Sequence, residues 1–160
     1  MKLSSRLYLL ILCMAPVLAA AQSGNAVTGP TDSATVVVDS VQFDVVDFRI
    51  DSATHTATVE ITLTNLKANP RELKINVYGT QLVDDQQNAY YFSTMALGQV
   101  RMRFTDRQNY LHYVLQPRTA VPLTVTAERI APDAKRIAVT KVVFEDRSEV
   151  GRFLDVYLAN

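Results

Sequence analysis

Apolar and polar residues alternate with a period of two along most of the chain from Val36 to the C-terminus. Between Thr56 and Thr64, aliphatic residues occupy every second position, and threonine or glutamate occupies the positions between them. Successive side chains of a β-strand point to opposite faces of the sheet, so this pattern predicts strands that bury one face. No stretch of about ten residues shows the apolar spacing of an amphipathic helix. The chain is therefore predicted to be all-β.

The alternation changes phase at two places. Val45 and Val46 stand side by side, with apolar residues at odd positions before them and at even positions after them. A β-bulge inserts one residue and restores the inward direction of the side chains, so a bulge is predicted here. A second phase change is predicted between Val139 and Val142. The pattern predicts a core that includes Phe43, Phe48, Val59, Ile61, Leu63, Ile75, Val125, Val139 and Val156.

Turn-forming residues separate the predicted strands at intervals of about 10–15 residues. Asn65, Pro70 and Pro132 mark three turns, and the polar residues 84–88 mark another. Seven or eight short antiparallel strands with such turns predict an immunoglobulin-like β-sandwich over residues 36–160. A closed barrel can produce the same pattern. The sandwich is favoured because these strands are unequal in length and irregularly connected.

The N-terminal segment has the features of an export signal. Residues 1–21 begin with two basic side chains, continue with an apolar run and end with three alanines. Cleavage is predicted after Ala21, and residues 22–35, which are polar and rich in turn formers, are predicted to form a flexible lead to the domain. The protein is thus predicted to be exported to the periplasm or the cell exterior, with no membrane attachment after cleavage.

Cys13 is the single cysteine and lies within the predicted signal peptide. A bacterial lipoprotein also carries a cysteine at the end of its apolar run, but a small residue precedes that cysteine. Here Leu12 precedes Cys13, so lipid attachment at Cys13 is not predicted. Removal of the signal leaves no thiol, which excludes a disulfide, a cysteine nucleophile and a zinc–thiolate site from the mature chain.

Composition and charge exclude further classes of protein. The chain has 160 residues, of which 48% are hydrophobic and 20% charged, a composition unlike that of disordered or multi-span membrane proteins. This length suits one domain with a single hydrophobic core. The formal net charge is zero, so the chain offers no electrostatic basis for binding nucleic acid or anionic lipid. Neither is predicted as a partner.

Three short motifs follow one another in a characteristic order. A strand pattern ends in Leu63-Thr64-Asn65, a turn with Asp84 and Asp85 comes before a tyrosine pair, and Gln116-Pro117 precedes a later strand. This order resembles that of small extracytoplasmic immunoglobulin-like domains of bacterial envelope and secreted proteins, the immunoprotective-antigen-like group. The likeness covers most of the chain from Val36 onwards. It implies a fold and a compartment, and the group carries no common catalytic activity.

The sequence departs from that pattern where the family has glycine. Gln87 or Asn88 stands in the turn, and Arg118 follows the loop proline. Asn adopts the left-handed conformation readily, whereas Arg does so less easily. A second, weaker likeness is to the desiccation-associated late-embryogenesis domains, which are also sandwiches, through Leu63-Thr64-Asn65 and Asn69-Pro70.

No arrangement typical of catalysis occurs in the sequence. A G-x-S-x-G elbow and a glycine-rich phosphate loop are absent. His55 and His112 lack the spacing of a histidine metal site. Asp84 and Asp85 could bind calcium, but the surrounding EF-hand spacing is missing, so they are interpreted as turn residues. The protein is predicted not to be an enzyme and to require no cofactor and no metal.

The stretch from residue 84 to residue 113 interrupts the regular alternation and is rich in tyrosine. Irregular connections on a rigid sandwich are common sites of recognition, and tyrosine supplies contact area at low entropic cost. Arginine can donate paired hydrogen bonds to a carboxylate. The alternative is that these tyrosines cover the ends of the core. The predicted binding residues are Tyr90, Tyr91, Arg101, Arg103, Tyr110 and Tyr113.

These observations predict an exported, non-enzymatic binding or accessory module of the cell envelope. Its partner is predicted to be another envelope or secreted protein. The alternative is a small-ligand or carbohydrate-binding protein that uses the tyrosine-rich region. The absence of tryptophan counts against a sugar site, because indole faces commonly bind sugar rings.

Overall fold

A computed structural model of the protein describes residues 35–160. The predicted signal peptide, Cys13 and residues 22–34 of the predicted lead lie outside the described residues. The described part is all-β, with twelve strands and one short 3-10 helix, Phe104–Asp106. The strands are β1 Thr35–Val38, β2 Val41–Asp51, β3 Thr56–Asn65, β4 Arg71–Asn76, β5 Gln81–Asp84, β6 Ala89–Tyr91, β7 Thr94–Leu97, β8 Val100–Arg103, β9 Tyr110–Leu115, β10 Ala120–Glu128, β11 Ile137–Glu145 and β12 Phe153–Ala159.

The strands form two antiparallel sheets that pack as a β-sandwich. Sheet one has the order β1-β2-β3-β10-β7-β8. Sheet two has the order β6-β5-β11-β4-β9, and β12 also pairs with β11. Lys141 faces Gln81 on one side and Tyr157 on the other, so β12 occupies the edge of β11 opposite β5. The predicted all-β sandwich is confirmed.

The structure has more strands than the seven or eight that the sequence predicts. The additional strands are short, since β6, β7 and β8 contain only three or four residues each. They lie between residues 89 and 103, where alternation over so few positions gives almost no signal. The chain crosses from sheet two to sheet one in this stretch, between Tyr91 and Thr94.

The bulge predicted in β2 is confirmed, whereas the phase change in β11 occurs earlier in the strand than the sequence pattern predicts. The register between β2 and β3 shifts between Val45 and Asp47. In β11 the register against β5 shifts between Ile137 and Val139, ahead of the predicted position. Val139 therefore lies on the outer face and is half-buried, and Thr140 takes the buried position.

Seven of the nine predicted core residues are buried, and the two exceptions have different causes. Val139 is displaced by the early register shift. Phe48 packs against the core but is only half-buried, because within residues 35–160 β1 pairs with β2 no further than Asp44 and no described strand covers that edge of the second half of β2. The confirmed residues are Phe43, Val59, Ile61, Leu63, Ile75, Val125 and Val156.

The motif that ends β3 joins two loops at one end of the sandwich. The buried Asn65 side chain donates hydrogen bonds to the carbonyl oxygens of Asn69 (2.8 Å) and Leu115 (3.3 Å). The backbone carbonyl oxygen of Asn65 accepts a hydrogen bond from the Arg118 N–H at 2.8 Å, beside a parallel bridge between Asn65 and Pro117. Asn65 therefore supplies a partner to the buried Leu115 carbonyl and ties it to the loops that contain Asn69 and Arg118.

Candidate functional site

A pocket of about 430 Å³ lies at the end of the sandwich where β10 finishes, and we call it the end pocket. Its walls come from the crossing between β6 and β7, from the end of β8 with the 3-10 helix, and from the residues that follow β10. The Ser93 N–H donates to the Thr126 carbonyl oxygen at 2.7 Å, and the Phe104 N–H donates to the Ser93 carbonyl oxygen at 3.0 Å. These hydrogen bonds hold the crossing against both neighbouring elements.

An aromatic cluster forms the apolar wall of the end pocket. The Phe104 ring makes edge contacts with Tyr78 and Phe92, with centroid distances of 5.6 and 5.8 Å. Phe92 is buried, whereas Phe104 is 45% exposed and Tyr91, on the adjacent wall, is 54% exposed. Phe104 is thus an exposed aromatic residue that its neighbours hold in one position, as is typical of binding surfaces.

Charged side chains also line the end pocket. Arg103 pairs with Asp106 at 3.3 Å, and its backbone N–H donates to the same carboxylate at 2.8 Å. That N–H is the main reason why the pKa of Asp106 lies below its ordinary value. Within residues 35–160, the guanidinium of Arg129 and the carboxylate of Glu128 have no hydrogen bond or ion pair. Both groups are free to meet a ligand.

A second pocket adjoins the end pocket and shares Glu128 and Arg129 with it. It has a volume of about 460 Å³, and His55 and Ile130 contribute to its lining. The Ile130 N–H donates to the His55 carbonyl oxygen at 2.9 Å, which fixes the turn against the end of β10. Arg129 has a positive φ of +61° at this point, so its side chain leaves the course of the strand. Arg129 therefore lies between the two pockets.

Two of the six predicted binding residues meet at the end pocket, namely Tyr91 and Arg103. Arg101 lies on the same face of β8 as Arg103 and is exposed, but it does not line the pocket. The other three belong to separate places in the fold. The predicted set is therefore distributed over five locations.

Tyr90 lies in β6 and its hydroxyl supports the turn between β5 and β6. Its hydroxyl donates to the buried Asp84 carboxylate at 2.6 Å and accepts the Ala131 N–H at 3.1 Å. The same carboxylate accepts the backbone N–H groups of Gln86 and Asn88. Burial acts to raise the pKa of Asp84, but the hydrogen bonds together outweigh it, so the pKa lies below its ordinary value. Burial is the main reason why the pKa of the Tyr90 hydroxyl is raised, and its hydrogen bond to Asp84 is the second.

Tyr113 and Tyr110 make different structural contacts. Tyr113 lies over Gly98, where an added Cβ would come within 2.7 Å of the tyrosine hydroxyl, so only glycine permits this approach between the sheets. Tyr110 lies on sheet two, stacked on Phe153 with centroids 5.7 Å apart and rings tilted by 9°. The Lys74 ammonium lies 4.4 Å from the centroid of Tyr110. Tyr113 packs against the core, as the alternative predicts, whereas Tyr110 lies on the face of β9 opposite the buried Leu111 and contacts Phe153 and Lys74 instead.

A charged cluster at the other side of the molecule is internally paired. The Arg71 side chain is 1% exposed and pairs with Asp39 at 2.6 Å, and Lys74 pairs with Glu145 at 3.1 Å. The Gly151 N–H, followed by Lys74, lowers the pKa of Glu145. A pocket of about 430 Å³ lies beside this cluster. Since each of these charges has a partner, the cluster joins the first hairpin to sheet two and offers little to a ligand.

Sequence reasoning missed Phe104, Glu128 and Arg129. Phe104 follows the buried Met102 at strand spacing, but the chain turns into the 3-10 helix there and leaves the ring at the surface. Glu128 and Arg129 look like ordinary polar residues at the end of a strand. The sequence signals for this end of the molecule were the tyrosine pair 90–91 and Arg103.

The described part of the chain contains no group of three or more His, Cys, Asp or Glu side chains that could hold a metal ion. Across residues 35–160, no helix has both the length and the apolar character to cross a membrane. The sequence matches no protein-family model, and a search of curated proteins finds no similar protein. Arguments about function therefore come from the site itself.

Proposed function

We propose that the protein is an exported, non-enzymatic binding module of the cell envelope, and that the end pocket is its binding site. The observation that carries the proposal is the pairing of rigid, exposed aromatic rings with an unpaired guanidinium. Phe104 and Tyr91 supply the apolar contact area, and Arg129 supplies hydrogen-bond donors with no partner among residues 35–160. Aromatic residues and arginine are the residue types most enriched in the energetically important part of protein interfaces.

The openness of the site favours a protein partner over an enclosed small ligand. Pockets for small molecules bury most of the ligand surface, about 70–90%. The end pocket has a suitable volume for a small ligand, but Tyr91, Arg103, Phe104, Glu128 and Arg129 are all exposed. A partner that continues beyond the pocket would cover these side chains as well.

The resemblance to extracytoplasmic immunoglobulin-like domains fits this proposal. The residues that carry the resemblance have structural contacts: Asn65 bonds the loop that contains Pro117, and Asp84 bonds Tyr90. None of the four lines the end pocket. In such a domain the motif residues maintain the frame, and the surface of each member is left to define its own partner.

Site-specific photocrosslinking tests the proposal in the cells that make the protein. A photoreactive phenylalanine analogue replaces Phe104 in one variant and Tyr91 in another. The matched control places the analogue at Tyr157, which is 60% exposed and lies on the edge strand β12. We expect the same discrete adduct from both pocket positions and none from the control. An adduct from Tyr157 alone, or no adduct from either pocket position, would contradict the proposal.

A further inference from the structure

We infer that the end pocket recognises the C-terminal residue of a partner chain, with its apolar side chain against Phe104 and its free carboxylate on Arg129. The inference rests on the proposed function and adds the chemistry of the ligand. It uses two features of one pocket, an aromatic wall and a guanidinium that no residue of the described part neutralises.

Arg129 is well suited to bind an anion. Arg103, on the same pocket, already pairs with Asp106, whereas Arg129 has no anion among residues 35–160. A guanidinium binds a carboxylate through two parallel hydrogen bonds, which is stronger and more specific than a single neutral hydrogen bond. Glu128 lines the same pocket and would repel an anion placed on its own side. The carboxylate of the ligand is therefore expected to bind Arg129.

The aromatic wall requires an apolar group close to that carboxylate. Phe104 and Arg129 line the same volume of about 430 Å³, which has room for one or two residues. In an extended chain, successive side chains point to opposite faces, so an acidic residue next to an apolar residue would project away from it. The last residue of a chain carries its side chain and its carboxylate on one Cα atom. A C-terminal residue therefore satisfies both walls of the pocket.

A selection with displayed peptides tests this inference. Random short peptides are presented with free carboxyl termini, and the purified protein is the bait. We expect selected peptides to share a large apolar last residue. For a selected peptide, conversion of the terminal carboxylate to an amide should weaken binding about tenfold or more, the loss typical of a hydrogen bond to a charged group.

Paired protein variants connect that loss to Arg129. Arg129→Gln should weaken binding of the free acid about tenfold and have little further effect on the amide, because both changes remove the same interaction. Arg118→Gln is the matched control, since Arg118 is also an exposed arginine with positive φ but precedes β10, at the opposite end of that strand. It should bind the free acid like the unchanged protein.

Three results would overturn the inference. The amide could bind as tightly as the acid, Arg129→Gln could behave like Arg118→Gln, or no C-terminal peptide could be selected. If any of these occurs while crosslinking from Phe104 still yields a discrete adduct, the proposed binding site stands and its assigned ligand chemistry is wrong. If crosslinking also fails, the proposed function fails with it.

Discussion

Replacement of Tyr90 by phenylalanine isolates the energetic role of the turn between β5 and β6. The change removes one oxygen atom and keeps the ring that packs on the core. The lost hydroxyl donates to Asp84 at 2.6 Å and accepts the Ala131 N–H at 3.1 Å. Two hydrogen bonds disappear, and one of them is made to an ionised, buried carboxylate.

The expected cost follows from those two hydrogen bonds. A hydrogen bond to a charged group contributes about 1.5–3 kcal/mol. Ala131 is half-buried, so water can reach its N–H in part, and the second bond adds up to about 1 kcal/mol. The free energy of unfolding should therefore fall by about 2–4 kcal/mol. Tyr91→Phe is the control, because Tyr91 is 54% exposed and its hydroxyl has no partner among residues 35–160, and it should cost less than about 0.5 kcal/mol.

Urea unfolding followed by circular dichroism measures both variants. With a slope of about 2 kcal/mol/M, in the middle of the range for small domains, the midpoint for Tyr90→Phe should fall by about 1–2 M at an unchanged slope. Equal midpoints for the two variants would refute the reasoning, since they would mean that the buried pair contributes no more than an exposed hydroxyl.

Three further predictions concern pH, strand phase and backbone strain. Since the pKa of Asp84 is lowered in the folded state, its ionised carboxylate contributes its full stabilisation above the unfolded pKa of about 3.9, and this stabilisation is lost as the pH falls through the folded pKa. The difference in free energy of unfolding between the unchanged protein and Tyr90→Phe should therefore narrow towards pH ~3 in repeated urea titrations. A difference that widens towards low pH would contradict this prediction. Ile61→Ala should cost about 2–5 kcal/mol and Thr62→Ala under about 1 kcal/mol in the same assay, because Ile61 is 1% exposed and Thr62 lies on the opposite face. Arg118→Gly should raise the thermal midpoint, with a gain of up to about 1 kcal/mol, because φ is +52° at this residue and glycine adopts that conformation without steric strain. Gln116→Gly is the control, because Gln116 does not have a positive φ, and it should not raise the midpoint.

The sequence pattern predicted the fold class well because burial of one sheet face is imposed residue by residue. In β3 the alternation extends over the nine residues from Thr56 to Thr64 and agrees with the burial at each of them, whereas the polar Asn65 that ends the strand is buried. In β11 the pattern failed locally, because Thr140 is a buried polar residue and Val139 an outward apolar one, an inversion that hydrophobicity alone cannot reveal. Of the strands of three or four residues, β5 and β7 were missed since so short an alternation is not distinctive.

The candidate site was predictable only in part. The departures from glycine at Gln87 and Arg118 were visible in the sequence, and both residues adopt positive φ, at +68° and +52°. Which tyrosines bond inward could not be deduced, because Tyr90 and Tyr91 are adjacent and differ only in the face to which they point. Arg129 gains its place from a positive φ at the end of β10 and from the crossing at Ser93, both of which are tertiary features.

The strand order also determines when the chain can fold as it is synthesised. Sheet one depends on β10 to connect β3 with β7, and sheet two depends on β11 to connect β5 with β4. Both connecting strands belong to the last third of the sequence, from Ala120 to Glu145. An N-terminal portion that emerges first can form local hairpins but lacks the strands that unite each sheet, and pairing between distant segments forms slowly. The chain should therefore remain open to chaperones and proteases until its last third is available, and a truncation before β11 should leave no stable domain.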